Sequence, residues 1–272
     1  MQTSEQTVRD ALAAQDPAAA LAAAERATRA QPAAVKPRIA LFQVMCLLGQ
    51  WQRALNQLEV IGRLDTEALS MVSTYREAIK CEAVRKQVFA GATTPLAFGE
   101  PQAWLAYLVE ALQHESSGAA AAAAELRSKA FEEAEFPAGT VNGAPFDWFA
   151  DVDPRLGPVL EAVVNGRYYW MPFAALARID IDAPEDLRDF VWTAAHFVFV
   201  NGGETVGLIP TRYSGSETDP DGAVQLARKT LWEPDAAGGV IGRGQRVFTT
   251  EDRELPLLEL RQVEFRHPSS NA

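Results

Sequence analysis

Two segments in the first half of the chain repeat at a spacing of 34 residues. Residues 16–32 (DPAAALAAAERATRAQP) align with residues 50–66 (QWQRALNQLEVIGRLDT), so that Ala20 falls on Ala54. A repeat of this length built from helical patterns predicts pairs of antiparallel helices, and each pair must stack on the next to cover its apolar stripe. The first half of the chain is therefore expected to be a stack of helix pairs.

The second repeat shows the features of a helix pair most clearly. Gly49 and Trp51 stand where tetratricopeptide repeats place a turn glycine and an aromatic residue, whereas the first repeat lacks both. The repeat therefore resembles the tetratricopeptide motif in a degenerate form. Apolar residues at helical spacing predict a further long helix over residues 66–90, and two more helices are expected after Pro101 and Gly118.

The composition of the chain changes after residue 135. Up to that point the chain is rich in alanine, whereas the remainder has the glycines, prolines, aromatic residues and short alternating runs that are typical of strands. The sequence thus predicts an α+β protein. A tetratricopeptide-like helical-repeat domain is expected over residues 1–135, followed by a small mixed α+β domain with a largely antiparallel sheet over residues 136–272.

The densest group of chemically capable side chains lies in residues 146–173 (FDWFADVDPRLGPVLEAVVNGRYYWMPF). Asp153, followed by a proline, is typical of a helix start, and an Asn-Gly pair at 165–166 is typical of a helix end. We therefore predict a helix over residues 155–165 and an aromatic-rich strand over residues 167–173.

No complete catalytic set is apparent in the sequence. Asp151 and Asp153 are spaced for a divalent cation but lack the further oxygen ligands that such an ion needs, so Asp153 as a helix cap, with Arg155 paired to a carboxylate, is favoured. His196 has no evident nucleophile or orienting partner. We expect no enzymatic activity, metal or cofactor. The alternative is a metal-dependent hydrolase that uses Asp151, Asp153 and His196.

Net charge and hydropathy limit the partners of the chain. There are 25 Lys and Arg against 36 Asp and Glu among 272 residues, giving a net charge of -11, and the pI is about 4.9. A phosphate backbone requires clustered basic side chains, so no nucleic-acid partner is expected. The sequence has no apolar run of about twenty residues and no signal-peptide pattern. No membrane partner is expected, and the cytoplasm is the expected location.

Stacked helix pairs usually present a concave groove that binds peptides or helices. Such a groove would be lined by residues of the first helix in each pair. The residues that we predict for it are Arg9, Leu12, Lys36, Ile39 and Gln43.

Several long strings resemble one protein family. The strings FDWFADVDPRLGPVLE, NGRYYWMPF, LRDFVW, IPTRY and GRGQR follow GQWQRALNQLEV in the family's order, and together they cover essentially the whole chain. The sequence is similar to the ImpE/TagJ family, also called SciE-type virulence proteins. The resemblance implies a cytoplasmic accessory protein of the bacterial type VI secretion system.

The resemblance further implies a partner. Family members bind the N-terminal helix of the small contractile-sheath subunit, TssB, and assist sheath assembly or its turnover by the ATPase ClpV. An amphipathic helix with a basic face would suit an acidic receptor. Two binding surfaces remain open: the helical-repeat groove, or a surface of the second domain formed by Trp148, Asp151, Asp153, Arg155, Tyr168 and Trp170. A scaffold that joins several secretion components is a further alternative.

Overall fold

Seven helices form the first half of the computed structural model, which describes residues 4–99, 102–235 and 239–267. All of the helices predicted for this half of the chain are present. Their bounds are Ser4–Ala13 (α1), Pro17–Ala30 (α2), Val35–Leu47 (α3), Trp51–Leu64 (α4), Leu69–Phe89 (α5), Ala103–Ser116 (α6) and Ala120–Glu133 (α7).

The 34-residue repeat is confirmed by helices α2 and α4. Both helices have 14 residues, and the matched residues Ala20 and Ala54 are both completely buried. Helix α2 begins at Pro17 because the Asp16 carboxylate accepts a hydrogen bond from the backbone N–H of Ala19 at 2.8 Å, and proline needs no such partner at the first helical position. Neighbouring helices from α1 to α5 pack against each other in chain order.

The second half of the chain is built on a nine-stranded sheet with the strand order β1-β6-β5-β9-β8-β7-β14-β2-β3. Among the strand pairs of the described residues in this sheet, β1–β6 alone is parallel. This confirms the predicted α+β class with a largely antiparallel sheet. The strands of this sheet are Leu96–Ala97 (β1), Gly139–Val141 (β2), Ala144–Phe146 (β3), Val159–Val164 (β5), Arg167–Pro172 (β6), Leu176–Ile181 (β7), Trp192–Phe199 (β8), Glu204–Pro210 (β9) and Gln262–Phe265 (β14).

Two small sheets and a short helix complete the fold. Strands Thr230–Pro234 (β10) and Val240–Gly244 (β11) pair with each other. Strand Val247–Thr249 (β12) lies between Ala150–Asp151 (β4) and Glu254–Pro256 (β13). The helix α8 spans Gly222–Gln225.

Both faces of the central sheet carry apolar clusters, although one face becomes half-exposed near His196 on β8. One face continues the core of the helices, so that Trp170 and Trp192 pack in the same cluster as the helix residues. The opposite face carries a separate cluster with many phenylalanines, among them Phe173 and Phe197. A strand in the middle of such a sheet is buried on both sides and therefore has a nearly continuous apolar run.

The predicted helix over residues 155–165 is wrong. Most of this segment is strand β5, in which all six residues are buried. The run VLEAVV lacks the alternation of a half-exposed strand because the sheet is covered on both faces, so its periodicity did not separate strand from helix. Asn165 and Gly166 have φ of 49° and 72° and form the tight turn between β5 and β6 rather than a helix end. The strand predicted over residues 167–173 is confirmed as β6.

The helices and the sheet share backbone hydrogen bonds as well as a core. Strand β1 lies between α5 and α6 in the chain, yet it pairs with β6, where Leu96 is opposite Tyr169. The backbone N–H of Phe98 donates to the carbonyl of Trp170 at 3.1 Å. The division into domains at residues 135 and 136 stays a prediction. Secondary structure changes near this position, from the end of α7 to the start of β2, but the apolar core continues across it.

Candidate functional site

A buried ion pair joins the helical half of the chain to the sheet. Glu161 is the one charged residue in the apolar strand β5, and its side chain is completely buried. The Arg85 guanidinium, on α5, donates to both carboxylate oxygens of Glu161, at 2.6 and 3.0 Å. The Tyr168 hydroxyl also donates to Glu161, at 2.5 Å. The bidentate ion pair and the additional hydroxyl donor together offset the cost of removing the Glu161 carboxylate from water.

A second arginine extends this ion pair to strand β4. Arg246 is fully buried and donates to Glu161 and to Asp151, at 2.6 Å in the second case. The Tyr213 hydroxyl donates to the other oxygen of Asp151 at 2.8 Å. We call Arg85, Asp151, Glu161 and Arg246 the buried charge cluster. It contains two arginines and two carboxylates, and it connects α5, β4, β5 and the segment before β12.

The two carboxylates of the buried charge cluster have opposite shifts in pKa. Burial would raise the pKa of Glu161, but Arg85 and Arg246 overcome this effect and lower it to about 2. Burial raises the pKa of Asp151 to about 7; Arg246 opposes the shift and the neighbouring Asp153 carboxylate adds to it. Glu161 therefore remains ionised, whereas Asp151 is the group in the cluster that takes up a proton near neutral pH.

The Asp153 carboxylate is fully engaged in hydrogen bonds inside the protein. Its carboxylate accepts hydrogen bonds from the backbone N–H of Arg155 at 3.0 Å, from the Arg155 side chain, and from the backbone N–H of Gly242 at 2.9 Å. The predicted pairing of Arg155 with a carboxylate is confirmed, although Asp153 stabilises a turn rather than a helix. Among the described residues, no group of three or more His, Cys, Asp or Glu side chains is arranged to hold a metal ion.

His196 lies away from these aspartates. Its ring nitrogens are 3.6 Å from Asp180 and 3.4 Å from Glu204, on the half-exposed surface of the sheet. Asp151 contacts Arg246 and Tyr213 instead. The structure therefore does not bring Asp151 and His196 together as the base and carboxylate of one hydrolytic site.

Most of the predicted partner-binding residues have buried side chains, and their contact with a partner stays a prediction. The second-domain surface exists only in part, because Trp148 is 36% exposed while the other predicted residues lie inside the protein. In the predicted groove, Arg9 and Lys36 are exposed and Ile39 is half-buried. The buried residues are Leu12, Gln43, Asp151, Asp153, Arg155, Tyr168 and Trp170.

The groove expected along the first helix of each pair is partly covered by the chain itself. Helix α3 packs against the one-turn helix Leu187–Phe190 of the second half. Arg212, also from the second half, donates to the backbone carbonyl of Leu47 at 2.8 Å. The sequence analysis did not foresee that the two halves of the chain pack against each other in this way.

A pocket between α2, α3 and α4 was missed by the sequence analysis. Its volume is about 490 Å³. Its three arginines, Arg29, Arg38 and Arg53, are not related by the 34-residue spacing, so the repeat gave no signal for their grouping. The lining residues are Glu25, Thr28, Arg29, Pro32, Arg38, Leu41, Met45, Arg53, Asn56 and Gln57. We call this site the arginine pocket.

These features define a helical-repeat protein whose helices are tied to an antiparallel sheet through buried ion pairs. The chain is 46% identical over 246 residues to the type VI secretion system accessory component TagJ of Pseudomonas aeruginosa, an alignment that covers 90% of this chain and 86% of that protein. Residues 143–264 match the family model described as ImpE protein. The chain belongs to the ImpE family, which confirms the resemblance noted in its sequence.

A solved structure has the same fold. The crystal structure of protein VPA1032 from Vibrio parahaemolyticus superposes with a TM-score of 0.88 and is 25% identical in sequence. The alignment covers 96% of this chain and 98% of that one. Helical stack and sheet are therefore found together in that protein too. Among the helices of the described ranges, none has the length and apolar character that crossing a bilayer requires.

Proposed function

We propose that this protein is an accessory component of the bacterial type VI secretion system, with a binding role rather than an enzymatic one. The observation that carries this proposal is the 46% identity to the TagJ accessory component over 90% of the chain. Side-chain geometry supports the binding role, because the carboxylates that a hydrolase would use are enclosed and paired with arginines.

The partner in this proposal is the N-terminal helix of the small sheath subunit, TssB, in the cytoplasm. Binding of this helix would assist sheath assembly or the turnover of the sheath by ClpV. Stacked helix pairs are well suited to such a ligand, since a helix fits the grooves between their helices. The stack formed by α1 to α5 provides surfaces of this kind.

We place the binding surface on the helical half of the chain. Partner contact through the second half would need side chains such as Tyr168 and Trp170, which are 3% and 0% exposed. Trp148 is the exposed residue of that predicted set. Interface aromatics contribute to binding only when the partner can reach them.

Capture of the small sheath subunit by the immobilised full-length chain tests this proposal. We expect capture of the intact subunit and loss of capture when its N-terminal helix is deleted. Separate halves of the present protein are unsuitable for the test, because the apolar core crosses the boundary between them. Equal capture of the truncated subunit would overturn the assignment of its N-terminal helix as the ligand.

A control distinguishes an adaptor from a scaffold. A scaffold would also capture a further secretion component when the sheath subunit is absent from the mixture. An adaptor for the sheath would capture that component only through the sheath subunit. Failure to capture either protein would overturn the proposed binding role.

A further inference from the structure

The arginine pocket has the local charge opposite to that of the whole chain. Three arginines, Arg29, Arg38 and Arg53, line the pocket together with a single carboxylate, that of Glu25. The pocket thus has a local excess of two positive charges in a chain with a net charge of -11. Electrostatic complementarity at an interface is determined by such local charge rather than by the net charge.

The arginines of the pocket are held in place but retain unused donors. Arg38 donates to the Pro32 carbonyl at 2.7 Å and to the Gln57 side chain at 3.1 Å. Arg53 donates to Glu25 at 2.6 Å and also to Gln50. Because a guanidinium has five N–H groups, each of these two arginines keeps N–H groups available to a ligand. Fixing an arginine in advance lowers the entropy that binding must cost.

The pocket already stabilises one carboxylate. The hydrogen bond and charge of Arg53, helped by Arg29, hold the pKa of Glu25 below its usual value in spite of partial burial. The ion pair between Arg53 and Glu25 joins α4 to α2, the two equivalent helices of the repeat. A second carboxylate arriving from a partner would meet the same guanidinium groups.

The remaining lining residues offer little apolar surface. Leu41 and Met45 on α3 line the pocket but are only 4% and 2% exposed, so a ligand gains almost no apolar contact from them. The side chains of Asn56 and Gln57 add polar groups on α4. An acidic ligand therefore matches the polar and basic lining of the pocket.

We propose that the arginine pocket binds an acidic segment of a protein partner, with Glu or Asp carboxylates on Arg38 and Arg53. The identification of this partner with a type VI component rests on the proposed function, whereas the carboxylate chemistry is argued from the pocket alone. The net charge of the chain favoured a ligand with a basic face, whereas the local charge of this pocket favours an acidic ligand.

A pair of synthetic peptides tests the proposal on the full-length chain. The first peptide is a fluorescein-labelled amphipathic helix with Glu on its polar face, and the second has Gln at every Glu position. We expect the Glu peptide to bind, and the affinity of the Gln peptide to be lower by at least about tenfold. Binding should weaken as salt is raised, because the arginines are partly exposed. Equal binding of the two peptides would overturn the proposal.

Two variants and a matched control locate the binding. R38Q and R53Q are each expected to weaken binding of the Glu peptide about fivefold or more. The control is R63Q, since Arg63 is on the same helix as Arg53, is 74% exposed and lies outside the pocket. An equal loss in R63Q would show attraction by surface charge alone and would overturn the proposal. Thermal melting confirms that each variant remains folded.

Inorganic phosphate and the sheath subunit distinguish the remaining outcomes. In one outcome, a low concentration of inorganic phosphate displaces the Glu peptide, and the Gln peptide binds as strongly as the Glu peptide does. This outcome would assign the pocket to phosphate and reject the acidic segment as its ligand. If R38Q and R53Q lose the Glu peptide but still capture the small sheath subunit, the pocket chemistry stands and that subunit binds elsewhere. If the variants retain both ligands, the pocket proposal fails while the proposed accessory function stands.

Discussion

Arg85 on α5 and Glu161 on β5 are 76 residues apart in the chain and form a bidentate ion pair inside the protein. Both side chains are almost inaccessible to solvent, at 5% and 0% exposure. Their pairing fixes the position of the long helix relative to the central sheet. The first prediction concerns the loss of one of these partners.

The variant R85M is expected to lower the free energy of unfolding by about 3 to 5 kcal/mol, because it leaves a buried carboxylate without one of its two arginines. Urea unfolding measures this change. Lys80 provides the matched control, since it lies on the same helix and pairs with Glu77 at 2.6 Å, but is 58% exposed. K80M should change the unfolding free energy by less than about 0.5 kcal/mol. Equal effects of the two substitutions would contradict the structural role of Arg85.

The second prediction concerns acid stability. The pKa of Glu161 falls from 4.5 to about 2 on folding, so its ionised form stabilises the folded state above pH 4.5. That contribution, of about 3 kcal/mol, is lost as the pH falls from 4.5 towards 2. The E161Q variant is expected to be less stable at neutral pH, and its stability should fall less steeply over this range. Urea midpoints measured at several pH values give the pH dependence of stability for the wild type and for E161Q.

The ionisation of Asp151 changes the stability of the protein with pH in the opposite direction, and over a different pH range. Its pKa rises from 3.8 to about 7 on folding, so its contribution to stability decreases as the pH rises between these values. Below pH 3.8 it is mostly protonated in both the folded and the unfolded state. The comparison of wild type with E161Q below that pH therefore isolates Glu161, and equal slopes there would contradict the lowered pKa.

The third prediction concerns the turn glycine of the second repeat. Gly49 has φ of +63°, and an added Cβ would lie 2.4 Å from the Glu217 side chain. G49A is expected to lower the unfolding free energy by about 1 to 2 kcal/mol, through backbone strain and displacement of Glu217. G118A is the control, because Gly118 has φ of +82° but no atom within 4 Å of an added Cβ. A melting temperature of G49A at or above that of G118A would argue against a packed contact at Gly49.

The fourth prediction separates the two surfaces considered for partner binding. Trp148, which is 36% exposed, is the accessible aromatic residue of the second-domain set. W148A is expected to leave capture of the small sheath subunit unchanged within about twofold, since the binding surface is placed on the helices. A tenfold loss of capture in a variant that melts normally would instead favour the second half as the binding surface.

Local patterns in the sequence predicted the elements that depend on local interactions. The 34-residue repeat identified α2 and α4, and the turn at Asn201 to Gly203 is typical of the hairpin that joins β8 and β9. Strand β5 was predicted to be a helix because its burial on both faces removed the alternation that marks a strand. Strand β1 has only two residues and is defined by its partner β6, so its own sequence carries little signal.

The sites depended on contacts between distant parts of the chain. Asp151 was identified as a notable residue, but Arg246, its partner, lies 95 positions away, and the sequence contains no signal for that pairing. A sequence alone does not distinguish charged residues that are buried as ion pairs from charged residues on the surface. This is why Asp151 and Asp153 were considered for a partner-binding surface and, as the alternative, for a metal site. It is also why the arginines of α2, α3 and α4 were not grouped.

The order of strands in the large sheet has a consequence for biosynthesis. Strand β14 lies between β7 and β2, so residues 262–265 form an internal strand although they are made about 80 residues after β7. The β2–β3 hairpin therefore lacks its neighbour in the sheet until residues 262–265 have been made, and its edge is exposed to other chains during that interval. Closure of the large sheet waits for this last strand.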